Sequence, residues 1–295
     1  MSDNGLYIGR FAPSPSGPLH FGSLIAALAS FLDAKANKGQ WLLRMEDLDP
    51  AREPPEAADQ ILRCLEQFSL HWDGPVLYQS QRLNAYAEAL AILKEQALIY
   101  SCACTRQQIH AMGGVYDNRC RAQRDIRKKS ALRVKIDNIQ IGFNDRIQGE
   151  QHQDLLYECG DFVVVRKDGL FAYQLAVVVD DAMQGITDIV RGFDLIDSTP
   201  RQIYLQRCLG YPEPRYAHIP IAVNGEGQKL SKQHFAEAIE PKRARELLFK
   251  ALAFLGQNPD SELAGAQVSE LLAWAIDHWD IQAVPKLANI AHESI

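Results

Sequence analysis

Two stretches of the chain hold the residue types that handle phosphate. The first is Gly9-Arg10-Phe11-Ala12-Pro13-Ser14-Pro15-Ser16-Gly17-Pro18-Leu19-His20-Phe21-Gly22-Ser23, in which a strand-like start leads through a Gly/Pro loop into a helical pattern. A helix start presents unpaired N–H groups and a partial positive charge, which suits a phosphate. Gly22 lets a nucleotide approach the backbone closely, and His20 can donate to phosphate oxygens. Taken alone, the stretch also reads as a proline-rich turn with a capping histidine. The second is Gly227-Gln228-Lys229-Leu230-Ser231-Lys232-Gln233, after the strand-like Ile219–Val223. Its paired lysines act as mobile point charges able to clasp a triphosphate, although a solvated loop explains them equally well.

A third group is Cys102-Ala103-Cys104 with Cys120. Thiolates prefer Zn²⁺, and three of them supply three of the four tetrahedral positions. Chemistry alone leaves the fourth ligand open between His110 and Tyr116, histidine being the commoner choice. A fourth group is basic: Arg119, Arg121, Arg124, Arg127, Lys128, Lys129, Arg133 and Lys135, opposed only by Asp125. It is expected either to track a nucleic-acid phosphate backbone or simply to face solvent, and Lys242, Arg243 and Arg245 could extend such a track.

The elements that must position these residues follow from periodicity. Leu6–Ile8 reads as a strand, and Leu24, Ile25, Leu28, Phe31 and Leu32 recur at helical spacing up to Gly39. Trp41–Leu43 begins a second strand, so the chain opens with a β-α-β unit and a parallel sheet. Helical patterns follow near 56–68 and 81–98, and residues 101–150 have no long helix. Asp161–Val165 and the apolar run Leu175–Val179 resume the α/β alternation; Thr187–Arg191 reads as another strand and Thr199–Leu209 as a helix. Beyond about 238 the chain reads as purely helical, with Leu247, Leu248, Leu252 and Leu255 on one face and Leu271, Leu272 and Trp274 on another. The expected fold is α/β, a Rossmann-like doubly wound parallel sheet with a zinc-bearing insertion and a small helical C-terminal subdomain. The expected divisions are 1–100 and 151–238 for the two catalytic halves, 101–150 for the insertion and 239–295 for the helical subdomain.

The 295 residues include 31 Lys+Arg against 37 Asp+Glu, a net charge of −6, with 47% hydrophobic residues. That balance excludes a disordered tail, a rod, and a protein that coats nucleic acid by bulk charge. Neither a membrane-length apolar run nor a signal-peptide pattern is found, so a cytoplasmic, reducing setting is expected. Disulfides are then disfavoured, and Cys64, Cys159 and Cys208, in apolar stretches, are expected in the core.

His20-Phe21-Gly22-Ser23 and Lys229-Leu230-Ser231-Lys232-Gln233 together resemble the paired signatures of class I aminoacyl-tRNA synthetases, usually written His-Ile-Gly-His and Lys-Met-Ser-Lys-Ser. Arg10–Gly17, Arg44-Met45-Glu46-Asp47-Leu48-Asp49-Pro50, Tyr173–Asp181 and Ile189-Val190-Arg191-Gly192 are similar to the glutamyl-tRNA synthetase catalytic domain, over about residues 5–240. Only residues 234–295 follow the lysine loop, too short a piece for the anticodon-binding region of a discriminating glutamyl-tRNA synthetase. A catalytic core without that region, bearing a Cys-rich insertion, resembles the glutamyl-queuosine tRNA(Asp) synthetases, which esterify glutamate to queuosine in the anticodon of tRNA(Asp).

The resemblance implies an ATP site at His20, Gly22, Ser23, Lys229, Ser231 and Lys232, with His20, Lys229 and Lys232 catalytic. It implies a glutamate pocket at Arg10, Phe11, Ala12, Pro13, Ser14, Glu46, Tyr173 and Arg191. Its metal pattern falls on Cys102, Cys104, Tyr116 and Cys120, which implies one structural Zn²⁺ with Tyr116 as fourth ligand. Two carboxylates and an ammonium on the substrate agree with guanidinium groups from Arg10 and Arg191, a carboxylate from Glu46 and a hydroxyl from Tyr173. Asp49 reads as part of a solvated acidic turn, and Asp180-Asp181, either a helix cap or metal-linked, stays outside the site. Val177 stands where the family has an asparagine, and Ser23 replaces the last residue of the first signature.

The implied reaction needs no side-chain nucleophile: glutamate and ATP, with Mg²⁺, give an adenylate whose acyl group passes to tRNA(Asp). A monomer is expected. The alternatives are a minimal glutamyl-tRNA synthetase charging a tRNA 3′ end, a nucleotidylyltransferase on the same fold, and an idle RNA-binding module.

Overall fold

A computed structural model of the protein describes residues 6–123, 129–230 and 237–291. Arg124, Arg127, Lys128, Ser231 and Lys232 lie outside the described residues. Strand β1 (Ile8–Phe11) leads through the proline-rich loop into helix α1 (Phe21–Ala36), which returns to β2 (Gln40–Met45), parallel to β1. The return is tight, because a Cβ on Gly39 would fall 2.4 Å from the Tyr7 carbonyl oxygen. Helix α2 (Ala57–Gln67), strand β3 (Leu77–Tyr78), parallel to β2, and helix α3 (Leu83–Glu95) follow.

Strand β4 (Ile99–Cys102), the short helix α4 (Arg106–His110), β5 (Ala131–Val134), the hairpin β6 (Gln140–Asp145) and β7 (Gly149–Asp154), and β8 (Phe162–Val165) come next. All their pairings are antiparallel, in the order β4-β5-β8 and β6-β7. Helix α5 (Tyr173–Met183), β9 (Asp188–Gly192), α6 (Thr199–Leu209) and β10 (Arg215–Ile219), parallel to β9, complete the central body. The Thr187 amide donates to the Ile8 carbonyl at 2.9 Å and the Thr187 hydroxyl accepts from the Ile8 amide at 2.9 Å, which lays β9 beside β1. The strands therefore run β3-β2-β1-β9-β10, the reversal of a doubly wound fold, with its crevice at the C-terminal ends of β1 and β9.

Side chains alternate across this sheet, as the strand period requires. Trp41, Leu43, Val190 and Ala217 enter one core with α1, while Leu42, Ile189 and Tyr216 enter a second core with α5 and α6. Helix α1 is buried nearly all round because helices α7 (Ala244–Phe254) and α8 (Val268–Asp277) cover the side that faces away from the sheet.

Three expectations need correction. Leu175–Val179 is not a strand but the middle of α5; the run is apolar on every side because the helix is buried on every side. The C-terminal part is not purely helical, since β12 (Asn289–Ala291) pairs in parallel with β11 (Ile221–Val223). The first strand starts at Ile8, so that Arg10 lies on it. Cys64, Cys159 and Cys208 pack against the two cores from half-buried positions.

Candidate active site

A cavity of about 650 Å³ opens where β1 and β9 end, and both phosphate-type stretches line it. His20 is the N-cap of α1, its Nδ1 accepting from the Ser23 amide at 3.3 Å. That bond leaves the neutral ring with its proton on Nε2, the nitrogen then able to donate. Gly22 lies where the two stretches meet: a Cβ there would crowd the His20 ring at 3.2 Å and touch the Leu230 carbonyl at 3.4 Å. The second stretch folds back as a turn capped by the Asn224 side chain, and the Leu230 amide donates to Ala222 at 2.9 Å. Lys229 lines the cavity with its Nζ 2.5 Å from Asp194. Ser231 and Lys232 are the two members of the expected ATP site that lie outside the described residues.

At the other end of the cavity Arg10, Glu46, Tyr173 and Arg191 converge, and Ala12, Pro13 and Ser14 form its wall. The Glu46 amide donates to the Pro13 carbonyl at 3.0 Å, tying the end of β2 to the loop. Phe11 reaches the cavity edge but turns its ring into the core, stacked 6.3 Å from Trp41. Burial pushes the Glu46 carboxyl up to about 7 against the pull of Arg44 and Arg10. Burial likewise raises the Tyr173 phenol, so its hydroxyl stays protonated.

Beneath this floor lies a charged layer that the motifs did not reveal. Asp181 accepts from Arg10 Nε at 3.2 Å, from Arg10 Nη2 at 3.3 Å and from Arg44 Nη1 at 2.8 Å. Burial works against the Asp181 carboxylate, yet the two guanidinium groups hold it below the usual range. Arg44, fully buried, also approaches Glu46 Oε1 at 3.5 Å. Asp180 accepts from Gln79, Arg82 and Tyr86. Both aspartates lie within α5 rather than capping it, and Asp181 supports the arginines of the pocket. An acidic pair inside an apolar helix was the one sequence signal available for this layer.

The cysteine group assembles away from the cavity. The sulfurs of Cys102, Cys104 and Cys120 lie within 4.8 Å of one another. The Tyr116 hydroxyl is 3.4 Å from Cys102 Sγ and 4.0 Å from Cys104 Sγ, whereas His110 is exposed on α4. Burial raises the Cys102 thiol, but hydrogen bonds from Tyr116 and Arg133 outweigh it and bring the thiol down to about 7. The cluster can hold a metal ion, and its sulfur chemistry suits zinc.

Among the described residues of the basic run, Arg119, Arg121, Arg133 and Lys135 have partners within the protein. Arg121 pairs with Asp161, Arg119 with Asp117 and Lys135 Nζ with the Ala97 carbonyl, while Arg133 is buried over the Tyr116 ring. Arg243 pairs with Glu246, Arg245 Nη1 donates to the Gly265 carbonyl at 3.4 Å, and Lys129 is exposed.

Residues 8–264 match the family model for the catalytic domain of class I tRNA synthetases (E and Q). The fold is that of a class I synthetase catalytic domain, and the protein is a ligase. The glutamate-tRNA synthetase of Elizabethkingia anophelis superposes with a TM-score of 0.81 at 24% identity, covering 98% of this chain and 68% of that one. A glutamate tRNA ligase from Elizabethkingia meningosepticum, solved in complex with its amino acid, gives 0.80 at 23% identity over the same shares. Curated relatives match over nearly their whole length. The glutamyl-Q tRNA(Asp) synthetase of Pseudomonas aeruginosa is 51% identical over 98% of this chain and 99% of its own. That of Dechloromonas aromatica is 54% identical over 97% of this chain and 98% of its own. The chain belongs to the glutamyl-Q tRNA(Asp) synthetase family.

Proposed function

We propose that the protein activates L-glutamate with ATP and transfers the glutamyl group to queuosine in the anticodon of tRNA(Asp). One observation carries this: a single cavity joins the N-terminus of α1, with His20 and Lys229, to a pocket with two buried arginines and the nearly buried Glu46. In the first step an oxygen of the glutamate α-carboxylate bonds to the α-phosphorus of ATP, and the bond to pyrophosphate breaks. His20 donates from Nε2 to the phosphates, and Lys229, exchanging Asp194 for them, neutralises their growing charge together with Lys232. Mg²⁺ arriving with ATP would supply further charge neutralisation at the phosphates. Glu46 takes the ammonium, Arg10 and Arg191 serve the carboxylates, and the Tyr173 hydroxyl fixes direction.

In the second step a hydroxyl of the acceptor attacks the mixed anhydride, AMP leaves, and the adenylate phosphate takes the proton. Cys102, Cys104, Cys120 and Tyr116 would hold a Zn²⁺ that would stand in for the core their segment lacks, since among the described residues the other hydrophobic side chains beside them are the partly buried Tyr100, Ile109 and Met112.

Labelled glutamate offered with ATP and Mg²⁺ to tRNA(Asp) and tRNA(Glu), each with and without queuosine, tests the whole scheme. Label is expected only on queuosine-containing tRNA(Asp). Labelling of tRNA(Glu) regardless of queuosine makes the protein a minimal glutamyl-tRNA synthetase instead. A nucleotide-transfer activity with no glutamyl-adenylate sinks both.

A further inference from the structure

The two arginines of the pocket differ in what neutralises them. Arg10 is already paired with Asp181. Arg191, 4% exposed, gives every hydrogen bond seen among the described residues to an uncharged acceptor. Its Nη1 reaches Gln202 Oε1 at 2.8 Å and Tyr173 Oη at 3.5 Å; its Nη2 reaches Thr199 Oγ1 at 2.7 Å and the Leu195 carbonyl at 3.4 Å. Its Nε lies 3.0 Å from Nε2 of His218, a fully buried residue of β10. A buried guanidinium without a carboxylate costs stability until an anion arrives.

The other face of His218 explains how it can accept that proton. Its Nδ1 lies 2.6 Å from Asp145 Oδ2, at the end of β6. Asp145 Oδ1 accepts from the amides of Ile147, Gln148 and His218 at 3.0, 2.9 and 3.2 Å, which fixes the carboxylate's rotamer. An ionised carboxylate only accepts, so Nδ1 must carry the hydrogen and Nε2 must carry the lone pair. Burial, stronger than the opposing bond from Asp145, pushes the His218 imidazole down to about 4, so it is neutral when Arg191 bonds to it.

We propose that Asp145 and His218 are positioning residues for Arg191: the carboxylate fixes the imidazole tautomer whose Nε2 orients the guanidinium, leaving its charge for a carboxylate of the bound amino acid. The inference rests on the glutamate pocket proposed above and adds two residues no motif contains. An aspartate in direct contact would hold Arg191 equally well but would offset its charge, as Asp181, shared with Arg44, does in part for Arg10. The neutral ring between them separates orientation from neutralisation.

D145N keeps the shape but presents an amide N–H₂ to Nδ1, which drives the proton to Nε2 and sets two donors facing each other at Arg191. H218Q places an amide oxygen near the Nε2 position and needs no tautomer. ATP–pyrophosphate exchange, run with tRNA present, gives separate KM values for glutamate and ATP. D145N is expected to raise the glutamate KM by about tenfold or more, the scale of one charge-assisted hydrogen bond, with the ATP KM changed less than about twofold. H218Q is expected to restore most of that loss in the D145N background. Equal rises in both KM values, or no rise for glutamate, would overturn the proposal.

Nitrogen-15 NMR of the wild-type protein tests the same point without a variant. The expected signal is a neutral His218 protonated on Nδ1; a proton on Nε2, or a doubly protonated ring at pH 7, refutes the tautomer. Wild-type protein that shows no glutamate-dependent exchange would instead remove the pocket assignment, a result separable from the NMR one.

Discussion

At the scale of single residues, the pocket is tuned by hydrogen-bond contact more than by which charges are present. Glu46 and Asp181 sit beside the same arginines, yet Glu46 is pushed up to about 7 while Asp181 is held low. The difference is contact: Asp181 accepts three guanidinium hydrogen bonds, whereas Glu46 Oε1 has no hydrogen-bond partner and waits 3.5 Å from Arg44. An arriving ammonium supplies the missing partner and binds only the ionised carboxylate. Glutamate affinity should therefore be full above about pH 8 and weaken by about tenfold per unit as pH falls below Glu46's value of about 7. Calorimetric Kd values between pH 5.5 and 8.5 check this; E46Q should bind roughly 30-fold more weakly at pH 8 and lose the pH dependence. Glu46, Arg10, Tyr173, Arg191, His20 and Lys229 were legible because each sits in a short string whose residue types announce their chemistry. Asp181, Asp145 and His218 were not, because their roles come from partners far along the chain: Arg10 and Asp181 are 171 positions apart, His218 and Asp145 73. No local pattern records such pairings.

Among the elements, legibility followed amphipathicity. Helix α1 and strands β1, β2 and β9 were readable because their periods, or the turns bounding them, survive in the sequence. Helix α5 misleads for the opposite reason: Leu175 to Val179 are all buried, so no polar face marks the turn of the helix, and three consecutive valines suggest a strand. Strand β12 was hidden because its partner β11 lies far upstream and it is only three residues long. The stretch that carries Cys104, Tyr116 and Cys120 is a third case, since in the reading proposed above its order would depend on a bound metal rather than on apolar area. Its buried cluster is Cys102, Tyr116 and Cys120, too few residues to stabilise a fold alone. Dialysis against a chelator should release one zinc per chain and abolish amide-hydrogen protection across residues 100–123, while β9 and β10 keep theirs. C104S should do the same without a chelator. Zinc release with unchanged protection would make the metal incidental to the fold.

Over the whole molecule, one buried carboxylate ties together parts of the chain that the sequence reading treats as separate. Asp33, on α1 and 1% exposed, accepts from Tyr7 before β1, from Nη1 and Nη2 of Arg146 in the β6–β7 turn, and from Trp279 after α8. Arg146 also reaches Asp188 at the start of β9, at 3.3 Å. The antiparallel hairpin and the C-terminal helices are thus anchored to the parallel sheet at a single point by charge as well as by packing. Tyr7 and Trp279 are neutral donors, so Arg146 supplies the compensating charge for Asp33. Removing one partner of a buried pair strands the other, whereas replacing both can be nearly neutral. R146M, which keeps the apolar stem, is expected to cost about 3–5 kcal/mol in denaturant unfolding. Asp33→Asn in the same background removes the stranded charge and should recover a large part of that loss, leaving a coupling of about 1–3 kcal/mol in the double-mutant cycle. A cycle that closes near zero would mean that packing alone joins the hairpin to the sheet. A second, separate unfolding transition in R146M would show that this ion pair is what makes the molecule unfold as one unit.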